Sequence, residues 1–177
     1  MRFEADAVLR FDRETAFAAW RDELPALCAY LPNVQRIEVV EREQEGPIVR
    51  LVNVWTGGGE IPAAVRSILR PEMLQWTDHA TWDAERYECD WTIRSHAFPE
   101  AVRARGLNRF ISLAPDRTRL EIRGEIEIDL PATRLVPGVL AATLGRTVEQ
   151  FLARQIAANV TSVSTALARH LEHRERD

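Results

Sequence analysis

The chain has 177 residues, with 27 acidic side chains against 23 basic ones and a formal net charge of −4 at pH 7; every basic side chain other than histidine is an arginine. The absence of lysine excludes a Schiff-base nucleophile, a pyridoxal-phosphate anchor and the lysine of a phosphate-gripping P-loop, and a mildly acidic chain without an arginine block argues against nucleic acid as a partner. A composition of 46% hydrophobic and 28% charged residues is that of a globular protein, and the length suits one domain over residues 1–177.

Phe3, Ala5, Ala7, Leu9 and Phe11 recur at every second position, the period of a half-buried strand. Asp12 then offers an N-cap oxygen to a short helix over 13–22, with Phe17 and Trp20 on one face, and a second short helix over 23–31 is closed by Pro32. Strands are expected at about 34–43 and 48–56 around Glu45-Gly46-Pro47, followed by a turn at Gly57-Gly58-Gly59 and a strand from Pro62 to Leu69. Turns at Arg70-Pro71-Glu72 and Asp83-Ala84-Glu85 bound strands over 73–82 and 86–97, and such short connections favour an antiparallel meander.

A loop through 100–105 leads to a strand from Gly106 to Leu113, and the clearest alternation follows over 119–130. Leu120, Ile122, Gly124, Ile126, Ile128 and Leu130 face one way, while Arg119, Glu121, Arg123, Glu125, Glu127 and Asp129 face the other. Gly124 is expected to mark a sharp bend or a bulge. Beyond Pro131 and Pro137, Leu140, Leu144, Val148, Leu152, Ile156, Val160, Val163 and Leu167 recur three to four apart and predict one long helix with a single apolar stripe.

This order covers the whole chain, and local motifs accompany it: Asp12 to Trp20 after the first strand, Tyr30-Leu31-Pro32-Asn33-Val34 before the second, Arg70 to Trp76 at a hairpin, and Leu135-Val136-Pro137-Gly138 opening the last helix. It resembles the helix-grip fold of the START/Bet v 1-like (SRPBCC) superfamily, in particular its bacterial polyketide cyclase-like branch. The resemblance implies an α+β fold, in which a curved antiparallel sheet of six to seven strands wraps around the long C-terminal helix, with two short helices after the first strand. It further implies an internal cavity for a lipid, a polyketide or another apolar or amphipathic small molecule, in a superfamily where many members bind and some catalyse.

The candidate ligand-binding residues are Trp55, Arg66, Trp76, Asp78, Tyr87, Trp91, Phe151, Gln155 and Asn159. Trp76 and Trp82 share strand parity, as do Tyr87, Cys89, Trp91, Ile93 and Ser95; either set lines a pocket or simply packs a core. Arg66 either lies exposed or turns inward to bind a ligand's carboxylate or enolate, and Asp78 raises the same question with the opposite sign. Gln155 and Asn159, beside the apolar stripe that carries Phe151, either orient a ligand with their amides or sit solvated at its edge.

No catalytic residue, metal or cofactor is assigned: no histidine pair has a local zinc spacing, and no nucleophile elbow occurs. Cys28 and Cys89 are expected to be buried free thiols. The acidic N-terminus and the lack of a long apolar run suggest a cytoplasmic protein without a transmembrane segment. Three functions compete: a carrier or sensor of a small molecule, an aromatase/cyclase-like enzyme, and an interaction module whose aromatics have filled the cavity. A void of about 300 Å³ separates the first two from the third; oligomeric state and ligand identity are not legible.

Overall fold

Alternation of apolar and polar residues builds seven strands into a single antiparallel sheet in the computed structural model of the chain, which describes residues 1–58, 60, 61, 63, 66, 69–129 and 141–176, the side chains of 141–145 excepted. The elements in chain order are β1 (Arg2–Leu9), α1 (Arg13–Asp22), α2 (Leu24–Leu27), β2 (Val34–Glu45), β3 (Ile48–Gly57), β4 (Gln75–Asp83), β5 (Glu88–Ser95), β6 (Val102–Ala114), β7 (Arg117–Ile128) and α3 (Ala141–Arg174). The sheet order is β1-β7-β6-β5-β4-β3-β2, so β2 to β7 form a meander and β1 closes against β7.

The expected N-cap is present: the Asp12 carboxylate accepts a hydrogen bond from the Thr15 amide at 2.9 Å. The long periodic strand behaves as its pattern requires, with Leu120, Ile122 and Ile126 buried against Val163, Ala166 and Leu167 of α3 in one core. The 34-residue α3 also lies against β1, α1 and α2, so the curved sheet grips the helix along its apolar stripe. A smaller cluster of Ile61, Leu69, Phe98, Ala101, Val102, Val148 and Leu152 packs separately. Among the described residues no helix is long and apolar enough to cross a membrane.

Four expectations need correction. The segment from Pro62 to Leu69 is not a ladder strand where it is described: the Arg66 amide donates to the Ala63 carbonyl, an i to i+3 turn, and β3 pairs directly with β4 through Trp55 and Trp76. Its apolar signal came from residues such as Leu69 that serve the smaller cluster. The second helix is α-helical only over Leu24–Leu27 and tightens into a 3₁₀ turn over Cys28–Tyr30. Strand β6 begins at Val102, because Val102, Ala104 and Gly106 continue the inward parity with side chains too small to stand out in the sequence. Of the two readings at Gly124, bend or bulge, the bulge is excluded, since its pairings with Phe3 and Gly106 run in unbroken register. Leu130, Leu135-Val136-Pro137-Gly138 and Leu140 lie outside the described residues.

Candidate functional site

The inward parity of β3, β4 and β5 brings polar and aromatic side chains to one place. Cross-strand neighbours share a face: Trp55 pairs with Trp76, Asn53 with Asp78, Ala80 with Trp91, and Trp82 with Cys89. On α3 the row Ile156, Asn159, Val160 and Val163 follows the i, i+3, i+4, i+7 spacing of one helical face and closes the space from the other side. Trp20 and Leu24, from α1 and α2, complete the wall. All five tryptophans of the chain therefore line one cavity.

The open volume is about 50 Å³, room for a few waters at the ~10–15 Å³ each requires and well short of the ~300 Å³ expected of the two ligand-binding readings. As it stands the space matches the core filled by its own aromatics, and a ligand of ordinary size enters only if that wall parts. Aromatic packing accounts for the small space. The Trp55 and Trp76 rings stack with centroids 5.8 Å apart, and Trp20 meets Trp82 edge-on at 5.9 Å. Trp76, Ile93 and Ile156 are only half-buried, so this side of the cavity approaches the surface.

The polar groups within are strongly desolvated: Asn53 is 1% exposed, Asn159 7% and Asp78 9%. Asn53 Nδ2 donates to Asp78 Oδ2 at 3.1 Å, and the Trp91 indole donates to Asn108 Oδ1 at 3.0 Å. Burial raises the Asp78 carboxyl from the ordinary 3.8 to about 6, against the hydrogen bond from Asn53 and the Trp55 indole N–H turned toward the carboxyl. That indole N–H does not reach hydrogen-bond geometry. Burial, with the Asp78 and Asp90 carboxylates nearby, also pushes the Cys89 thiol up.

Buried polar atoms are nearly always paired in native proteins, so the exceptions are informative. Among the described residues, six buried side-chain polar atoms have no hydrogen-bond partner within the protein: Asn53 Oδ1, Asp78 Oδ1, Asn159 Oδ1, Trp55 Nε1, Trp82 Nε1 and Arg119 Nε. The first five belong to residues lining this one cavity.

Of the sequence-derived candidates, Trp55, Trp76, Asp78, Trp91 and Asn159 meet here. Arg66 does not: it is exposed, with Nε donating to the Ile61 carbonyl at 2.9 Å and its guanidinium 3.4 Å from Glu60. Tyr87 sits in the turn before β5 at a φ of 54°, where strand alternation has ended, with its ring against Phe17 and beneath the Arg13 guanidinium. Gln155 is half-buried but off the cavity-facing row, and Phe151, a turn earlier, packs on the smaller cluster. Sequence reading missed Asn53 and Asn108. The available signal was parity, since Asn53 shares a strand face with Leu51 and Trp55, and Asn108 with Phe110. Cys89 is buried as expected, whereas Cys28 is half-buried because it lies in the 3₁₀ turn; both are free thiols.

No protein-family model and no curated protein matches the chain. Solved structures do. A protein of Thermus thermophilus aligns at a TM-score of 0.61 and 17% identity, covering 96% of this chain and 99% of that one. The Zhui aromatase/cyclase of Streptomyces sp. R1128 aligns at 0.61 and 14% identity over 97% and 95%. Norcoclaurine synthase of Thalictrum flavum, in complex with dopamine and hydroxybenzaldehyde, aligns at 0.56 and 11% identity over 96% and 87%. At such identities the likeness is one of fold, and the fold of this chain is the START/Bet v 1-like helix grip.

Proposed function

We propose that the chain binds an amphipathic small molecule, with a polar head held between the sheet and α3 by Asn53, Asp78 and Asn159 and an apolar remainder against the tryptophans. The observation that carries this reading is the gathering of five unpartnered buried polar atoms on one cavity. A buried polar atom left without any partner costs ~1–3 kcal/mol, so these atoms need water or a ligand, and a bound head group supplies partners for several of them at once. A mostly apolar wall with a few convergent polar groups is the usual make-up of a small-molecule site. The aromatase/cyclase and the ligand-bound norcoclaurine synthase among the structural neighbours support the same use of the fold.

A space of about 50 Å³ admits the head alone. The rest of the molecule leaves past half-buried Trp76, Ile93 and Ile156, and a bulky one parts the stacked Trp55 and Trp76 rings. Native mass spectrometry of protein purified from its own host tests the proposal, backed by tryptophan fluorescence titrations with amphipathic compounds. A non-covalent adduct and a saturable change in tryptophan emission are expected. If there is no adduct and no compound perturbs the emission, the small volume supports the second reading, a core filled by its own aromatics.

A further inference from the structure

The polar groups of the cavity are unequal in kind. Three of the unpartnered atoms, on Asn53, Asp78 and Asn159, are acceptor oxygens. The amide of Asn53 is oriented by its own donation to Asp78, which leaves Oδ1 as the free end. A carboxylate this deeply buried ordinarily has a cationic partner. Among the described residues Asp78 has no ion pair and no arginine lines the cavity, while the chain contains no lysine at all. Five tryptophans line the same space, and an indole ring is the aromatic surface that attracts cations best.

We infer that the head group taken by this cavity is a small organic cation, an alkylammonium whose N–H groups meet Asp78, Asn53 and Asn159 while its first carbons lie on the tryptophan rings. This rests on the binding proposed above and specifies the ligand class. Three acceptors suit an ammonium with three donors, and the charge of the ligand offsets the cost of the buried carboxylate. The indole N–H groups of Trp55 and Trp82 are the counter-observation, because they suit an acceptor on a neutral ligand; they do not, however, neutralise Asp78.

The titratable group facing Asp78 from β5 is Cys89, which burial keeps a neutral thiol. From β3, β6 and α3 the cavity receives Asn53, Trp55, Asn108 and Asn159, none of which titrates. The pH dependence of binding therefore reports Asp78, which is mainly ionised at pH 7.5 and protonated at pH 5.

The test is isothermal titration of the full chain with hexylamine, hexan-1-ol and hexanoate, three heads on one apolar tail. At pH 7.5 hexylamine is expected to bind at least tenfold more tightly than hexanol, and hexanoate least. The amine advantage is expected to disappear at pH 5 and in Asp78→Asn, with hexanol binding retained. The wild-type pH series answers the question even if that variant does not fold. Hexanol binding as tightly as hexylamine, or an amine advantage that survives at pH 5, overturns the cation assignment while leaving the cavity a binding site. Failure of all three to bind overturns the binding proposal and the inference with it.

Discussion

The indole of Trp91 lies where a side chain at Gly106 would project: a Cβ built there falls 2.2 Å from the ring and 2.3 Å from the carbonyl oxygen of Arg123. The two residues are direct cross-strand partners, and the row continues through Gly124 to Phe3, with Ala80 on the other side of Trp91. One large ring thus lies across a row of small residues and is pinned by its hydrogen bond to Asn108. Trp91 and Ala80 of this row line the cavity, and the glycines beside them give the Trp91 ring its place.

Gly106→Ala is therefore expected to cost ~3 kcal/mol or more, at the upper end of overpacking effects, because the Arg123 carbonyl belongs to the paired backbone and cannot give way. Gly124→Ala is expected to cost less. A Cβ there meets ring ends of Phe3 at 2.5 Å and Trp91 at 2.9 Å, side-chain atoms that can move. Urea unfolding of both variants checks the order, and a reversed order removes this account of the wall.

Asp78 makes stability depend on pH in an unusual direction for a carboxylate. Its folded pKa of about 6 lies above the ordinary 3.8, so between these values the native state binds more protons than the unfolded one and stability falls as pH rises. Asp78→Asn removes the buried charge and is expected to be more stable than wild type at pH 8, by up to ~3 kcal/mol if the whole difference is recovered. The gap should close by pH 4. Denaturation of both proteins across this range decides it, and a gap that does not change with pH contradicts the assignment.

Much of this site was legible before any coordinates. Period-two alternation put Trp76 with Trp82, and Trp91 with Cys89, on shared strand faces, and the 3.6-residue period placed Asn159 beside the stripe, whereas the direction of Asp78 was open until its strand was seen. Parity says which way a side chain points, but not where its strand ends, and this separates Tyr87, one residue before β5, from Cys89 inside it. Nor does periodicity reveal depth. In the sequence Asn53 is one polar residue among the apolar ones of its strand, yet in the structure it is the residue that holds Asp78. The volume was illegible as well, because it depends on how five large rings tilt against one another rather than on which faces they occupy.

At the entrance to α1, the Asp12 carboxylate satisfies an amide that the helix itself leaves free. Hydrogen bonds from Thr15, side chain first and then backbone, hold its pKa below the usual 3.8. Asp12→Ala is expected to cost ~1 kcal/mol at pH 7. A carboxyl with a lowered folded pKa contributes its stability above the unfolded value and loses it as pH falls through the folded one, so wild type and variant should converge in acid. Thermal unfolding at pH 7 and below pH 3 measures the difference.

The two thiols give a probe of the cavity itself. Cys28 is half-buried and its thiol donates to the Val34 carbonyl at 3.7 Å, whereas Cys89 is 1% exposed and lines the cavity. Burial raises the pKa of both, more strongly at Cys89, and the thiolate is the reactive form. At pH 8 a disulfide reagent is expected to label Cys28 slowly in the native protein and Cys89 only as fast as the structure opens, while both react at once in denaturant. Because Cys89 borders the proposed head-group position, any molecule that occupies the cavity should slow its labelling further and leave Cys28 unaffected. Native labelling of Cys89 at the rate of Cys28 would mean that solvent reaches the cavity freely, which is incompatible with the burial of Asp78 on which its raised pKa depends.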